Sequence, residues 1–188
     1  MGNNAIVLDI ETTGTDKYKD EILQVSIINS KGETLINSYV KPQNHTEWKN
    51  AEAVHGISPE IVEAAPTIEQ LQEKIQSIVN TAELIIGYNL DQFDVPFLEE
   101  AAGINFKDKE TYDVMFAFAP IYGEFNERFG NYKWQSLSTC AHYYNYEFSA
   151  HDSLEDVKAT LYCYEKIKEL DENLDMMIDE VPDTVIHL

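Results

Sequence analysis

Ala5-Ile6-Val7-Leu8-Asp9-Ile10-Glu11-Thr12-Thr13-Gly14 joins an apolar run to two carboxylates and a turn. Ala5 to Ile10 is short and continuously apolar apart from Asp9, the pattern of a buried central strand. Positions two apart on a strand point to the same face, so Asp9 and Glu11 stand side by side. Two like charges at the end of a buried strand repel each other and cost stability unless a cation joins them. For an all-oxygen site the natural cation is Mg²⁺ or Mn²⁺. Thr12-Thr13-Gly14 turns the chain at once and offers backbone N–H groups beside such a site. Taken alone, the same residues also fit a solvated acidic strand end.

Outward from this strand, Ile22 to Ile28 and Thr34 to Val40 read as two more strands. Asn29-Ser30-Lys31-Gly32 between them is a turn signal, so they form a hairpin beside the first. The texture then changes. Ser58-Pro59-Glu60 has an N-cap, a first-turn proline and an acid at the positive helix end. Thr67 to Gln70 fits a capping box, and Leu71, Ile75, Ile78 and Val79 follow at helical spacing. Leu84 to Gly87 is a compact buried strand. Asp91 to Ala102 reads as a helix stopped by Gly103, with Pro96 in its early part. Thr111 to Met115 reads as a fifth strand and Ser136 to Tyr143 as a helix. Asp152 to Leu170 is the strongest helical pattern, with Leu154, Val157, Leu161 and Tyr164 on one face. Three strands followed by alternating helices and strands make one α/β domain with a mixed sheet.

The chain of 188 residues suits one domain, which at this size buries about 70% of its unfolded surface. Residues 1–174 read as that domain and 175–188 as an acidic C-terminal tail able to pack on it. Thirteen basic residues against 34 acidic give −21, and Arg128 is the only Arg. A general basic patch gripping nucleic acid by phosphate neutralisation is therefore excluded. Nucleic acid as a substrate is not, because bound metal reverses the charge of a small site. Cys140 and Cys163 lack metal-type spacing and read as buried reduced thiols. The N-terminus has no signal-peptide pattern, and no apolar run approaches a membrane span. The expectation is a cytoplasmic protein with no membrane partner.

Two further groups of residues carry chemistry. In Asn89-Leu90-Asp91-Gln92-Phe93-Asp94, a carboxylate lies in apolar company after the strand Leu84 to Gly87, and such a group needs a partner. By spacing, either Asp91 or Asp94 could face the site. His151 and Asp156 flank the start of the last long helix. His151 lies on a loop end, and His suits proton acceptance near neutral pH. Asp156 borders the buried stripe at Val157.

In this order the motifs resemble the DEDD superfamily of 3′–5′ exonucleases, in its His-containing branch. The resemblance runs from about Ile6 to Leu170. It rests on Leu8-Asp9-Ile10-Glu11-Thr12-Thr13-Gly14, on Gly87 to Leu98, and on His151-Asp152-Ser153-Leu154-Glu155-Asp156. His55-Gly56-Ile57-Ser58 is similar to a segment of the proofreading subunits of bacterial replicative polymerases. Tyr88 departs from the pattern, since many relatives carry His there. The resemblance implies a ribonuclease H-like fold: a five-stranded mixed sheet with strand 2 antiparallel, flanked by helices. It selects Asp94 over Asp91. It implies two divalent ions, Mg²⁺ or Mn²⁺, held by Asp9, Glu11, Asp94 and Asp156, with His151 as general base. Thr12, Thr13, His55 and Phe93 are the expected substrate contacts. The implied substrate is a nucleic-acid 3′ end, single-stranded DNA ahead of RNA, with a polymerase as a conceivable partner. The alternative is a non-catalytic nucleic-acid-binding or scaffold module that keeps this fold.

Overall fold

The computed structural model describes residues 4–179. Strand β1 (Ala5–Thr12) is the middle of a five-stranded sheet. Beside it lie β2 (Ile22–Asn29) and then β3 (Thr34–Tyr39) on one side, and β4 (Leu84–Gly87) and then β5 (Glu110–Asp113) on the other. β2 runs antiparallel to β1 and to β3, while β4 and β5 run parallel to β1. Strand 2 is thus the one antiparallel member, as expected. The β2–β3 turn forms where the sequence signals it. Asn29 Oδ1 accepts from the backbone N–H of Lys31 and Glu33, and Gly32 takes φ +79°.

The helices are α1 (Lys49–His55), α2 (Pro59–Val62), α3 (Ile68–Thr81), α4 (Asp94–Ala102), α5 (Val114–Tyr122), α6 (Leu137–Tyr143) and α7 (Ser153–Asp179). A two-stranded hairpin of β6 (Phe125–Asn126) and β7 (Asn131–Tyr132) joins α5 to α6. The pleat of β1 feeds two core layers. Ile6, Leu8 and Ile10 pack with Ile75 and Val79 of α3 and Phe97 and Leu98 of α4. Ala5 and Val7 pack with Val114 and Phe118 of α5, Cys140 of α6, and Val157 and Leu161 of α7. Both cysteines are free and buried.

Several boundaries differ from expectation, each for a local reason. The helix expected from Asp91 begins at Asp94. Pro96 lacks an N–H and fits only a first turn, where that donor would have no partner anyway. Residues 89–93 form a tight turn instead, with Asn89 at φ +62°. The strand expected over Thr111 to Met115 is Glu110–Asp113, because the Asp113 carboxylate accepts from Met115 N at 3.0 Å and starts α5. Strand β3 stops one residue short of Val40. Helix α7 continues past Leu170 to Asp179, so it is unbroken across the 174/175 boundary. The rest of the expected tail, residues 180–188, lies outside the described residues. Among the described residues, no helix is long and apolar enough to cross a membrane.

Candidate active site

The site lies at the C-terminal end of β1. Odd-numbered residues of β1 face α7, so Asp9 and Glu11 point the same way as Val7, toward Asp156 in the first turn of α7. Carboxylate oxygens of Asp9, Glu11 and Asp156 lie within 4.8 Å of one another. Asp9 Oδ2 is buried and has no hydrogen-bond partner among the described residues. Asp94 approaches from the other layer. It is 2% exposed, and its Oδ1 accepts from Ile10 N at 3.0 Å. Asp91, by contrast, is exposed in the preceding turn. The geometry therefore brings Asp94, and not Asp91, to β1.

The electrostatics show what the cluster lacks. Burial pushes the Asp9 carboxyl well above its ordinary range, and Asp94, Glu11 and Asp156 push it further. Burial, then Asp156 and Asp152, raise Glu11 to about 8. Burial raises Asp156 to about 7 against the opposing hydrogen bond from His151, with Asp152 and Glu155 adding to the rise. Burial also raises Asp94, although the Ile10 N–H opposes it. Among the described residues, no cationic side chain offsets any of these four groups. Converging hard oxygens with an orphaned buried carboxylate oxygen are the donor set a divalent cation takes. The residues fit that group.

His151 stands at the rim. Its side chain is exposed, its backbone is left-handed at φ +70°, and its N–H donates to both Asp156 oxygens at 3.3 and 3.2 Å. The expected substrate contacts are more occupied than anticipated. His55 Nδ1 accepts from Ile57 N at 3.0 Å, which leaves Nε2 as the donor to Thr12 O at 3.2 Å. Burial lowers its pKa, in keeping with a neutral ring. His55 thus ties α1 to the end of β1 and has only its ring face left for a ligand. The Thr12 hydroxyl donates to Gly14 O, and the Thr13 hydroxyl donates to Asp20 while accepting from Glu21 N. Phe93 is half-buried and packs on Phe97, with ring centres 4.9 Å apart.

Residues 6–164 match the protein family described as Exonuclease. This chain belongs to the exonuclease family. It is 30% identical over 172 residues to the uncharacterized exonuclease CP81 of Escherichia phage 186, covering 86% of each chain. It is 27% identical over 168 residues to RNA exonuclease 4 of Aspergillus fumigatus, covering 87% of this chain and 51% of that one. Against the PolC-type DNA polymerase III of Thermotoga maritima it is 30% identical over 96 residues, half of this chain but 7% of the polymerase. In structure it resembles Escherichia coli Exonuclease I in complex with a dA16 oligonucleotide. That likeness has a TM-score of 0.74 at 21% identity over 92% of this chain and 42% of that one, and it shows a shared fold.

Two further residues of this exonuclease, Asp113 and Ser153, support the site without being ligands of it. Asp113 accepts from Asn89 N, Asp91 N and Met115 N at 3.0, 3.3 and 3.0 Å, so it clamps the turn that delivers Asp94. In sequence it stands in Tyr112-Asp113-Val114, where the resembled family carries an Asp-Thr strand, as an acid at the end of a strand. Ser153, fully buried, places its hydroxyl 3.4 Å from Asp9 O and ties α7 to β1.

The raised carboxyls make a testable statement about stability. Glu11 and Asp156 have ordinary values of 4.5 and 3.8 and titrate near 8 and 7 in the fold. The folded exonuclease then holds protons that the unfolded chain has released, and stability falls as pH rises. With metal chelated, the melting temperature is expected to drop between about pH 4 and pH 8. Excess Mg²⁺ or Mn²⁺ at pH 8 is expected to restore it, because a ligand of the folded state alone stabilises that state. Thermal melts with and without chelator check both; identical pH profiles would contradict the repulsive cluster.

Proposed function

We propose that this exonuclease hydrolyses phosphodiesters at nucleic-acid 3′ ends and releases nucleoside 5′-monophosphates. The observation that carries the reading is the convergence of Asp9, Glu11 and Asp156 around the unpartnered Asp9 Oδ2, with Asp94 buried behind them. Two divalent ions, Mg²⁺ or Mn²⁺, supply activation of the attacking water and stabilisation of the leaving oxygen. Asp9, at the centre of the cluster, would hold them with Glu11 and Asp156. Asp94 spends Oδ1 on Ile10 N and would offer Oδ2 as a further ligand. His151 accepts the proton of the attacking water, and its exposed turn lets it approach when a strand end is bound. As the water oxygen bonds to phosphorus, the P–O3′ bond breaks and the terminal nucleotide leaves with its 5′-phosphate.

We favour single-stranded DNA over RNA. His55-Gly56-Ile57 resembles the proofreading type, and here His55 holds the end of β1. A polymerase is the partner class this resemblance suggests. In the deciding experiment, purified protein acts on 3′-labelled and 5′-labelled single strands with Mg²⁺ or Mn²⁺. The 3′ label is expected to leave first, as a mononucleotide, and chelator is expected to stop the reaction. Intact strands, or prior loss of the 5′ label, would refute the reading. RNA and duplex ends in the same preparation rank the substrates.

A further inference from the structure

The hairpin between α5 and α6 is unlike the rest of the surface. Overall the chain carries −21, yet between Val114 and Tyr146 the only acids are Glu124 and Glu127. Arg128, the one Arg of the chain, and Lys133 balance them. Aromatic rings crowd this neutral island. Phe125 is 52% exposed, Phe129 68% and Trp134 52%. Exposed rings grouped in this way mark an interaction surface. They are also held in place. Phe125 meets Tyr132 edge to face at 5.3 Å, Trp134 leans on Phe116 at 5.3 Å, and the Arg128 guanidinium lies 5.2 Å from the centre of the Phe129 ring. Lys133 N donates to Glu124 O at 2.8 Å and closes the base of the hairpin.

The position of the hairpin gives it meaning. The parallel pairing of Val7 with Ile86, continued by two residues, sets Tyr88 level with Asp9. Tyr88 OH donates to Gln135 O at 2.9 Å, and Gln135 directly follows Trp134. The base of the hairpin is therefore fastened just past the C-terminal end of β4, the neighbour of the strand whose end carries the carboxylates. It joins two helices of the layer toward which Asp9 and Glu11 point.

We propose that this hairpin is a stacking platform for the bases of a single strand leading into the carboxylate site, with Phe129 and Trp134 as ring contacts and Arg128 as a phosphate contact. The inference rests on the nuclease reading above and deepens it. A surface this acidic has little charge with which to grip phosphates, whereas stacking on an aromatic face needs none and accepts every base. The guanidinium adds charge where the strand passes. A second copy of the chain or another protein could also cover the rings. Neither accounts for the only Arg, a second base and the exposed rings gathering beside a sheet end suited to phosphodiesters.

The test uses the full chain. Phe129→Ala with Trp134→Ala is expected to raise KM for a dT12 strand about tenfold or more, the scale of lost base stacking, with kcat near wild type. The p-nitrophenyl ester of thymidine 5′-monophosphate has no strand beyond one nucleotide to lie on the platform, and its cleavage is expected to be unchanged. Binding is read separately through tryptophan emission, since Trp48 is buried and Trp134 half exposed. In the His151→Asn background, dT12 is expected to quench emission, and the added Trp134→Phe to remove most of the quenching. If wild type cleaves neither substrate but dT12 still quenches Trp134, the platform stands and the nuclease reading falls. Absent quenching, or wild-type KM in the double variant, would overturn the platform. So would a wild-type dimer that the double variant splits while oligonucleotide binding stays the same.

Discussion

Asp9→Asn is expected to lower nuclease activity about a thousandfold or more while raising the melting temperature of the metal-free protein. The two effects have one origin. Asp9 sits at the centre of the carboxylate cluster, with a buried oxygen that no protein donor satisfies. If it joins both ions, its loss removes several kcal/mol of stabilisation from the reacting centre, and each 1.36 kcal/mol is about tenfold in rate. Without metal, that buried carboxyl is costly, because burial and then Asp94, Glu11 and Asp156 all disfavour its charge. Asn keeps the shape and removes the repulsion. For a chain of this length, each kcal/mol relieved raises the melting temperature by about 2–4 °C. The metal-induced rise in melting temperature should shrink in the same variant. Calorimetry with and without chelator, run beside the strand assay, checks all three. Wild-type turnover in Asp9→Asn would remove the carboxylate cluster from the chemistry.

His151→Asn is expected to lower kcat by about 10²–10⁴-fold, the range for loss of a general base. KM and the metal-induced rise in melting temperature should stay near wild type. Asn is the informative replacement because residue 151 is left-handed at φ +70°, a conformation Asn tolerates better than most residues. The backbone N–H bonds to Asp156 then survive, and the missing imidazole is the only change. A variant that loses its metal-induced stabilisation together with its activity would make His151 a support for Asp156 and not a proton acceptor.

Much of this arrangement is legible in the chain because it is locally encoded. The continuous apolar run of β1, the turn at Gly32 and the spacing of Leu71, Ile75 and Val79 each name their element without help from distant residues. Helix α5 is not legible in that way. Val114 to Tyr122 is apolar almost throughout, so it shows no period to separate a buried helix from a strand. Helix α1 fails for the opposite reason, since none of its residues is buried and it needs no apolar face. In the site, Asp91 and Asp94 look alike in sequence. The resemblance favours Asp94, and the physical separation is tertiary: Asp94 is buried and accepts from Ile10 N, 84 positions away, while Asp91 is exposed. The role of His55 was likewise out of reach, because both of its ring nitrogens are spent on backbone groups that local pattern does not locate.

The separation of Asp9 and Asp156 along the chain has a consequence during synthesis. β1 leaves the ribosome before α7, but its two carboxylates face the layer that α7 completes, and Ser153 at the head of α7 ties that helix back to Asp9. Until the last long helix is made and docked, the growing chain lacks Asp156 and His151 and cannot assemble the site. A hydrolase of this kind would thus emerge inert beside the messenger that encodes it, and become competent only when α7 docks on the sheet.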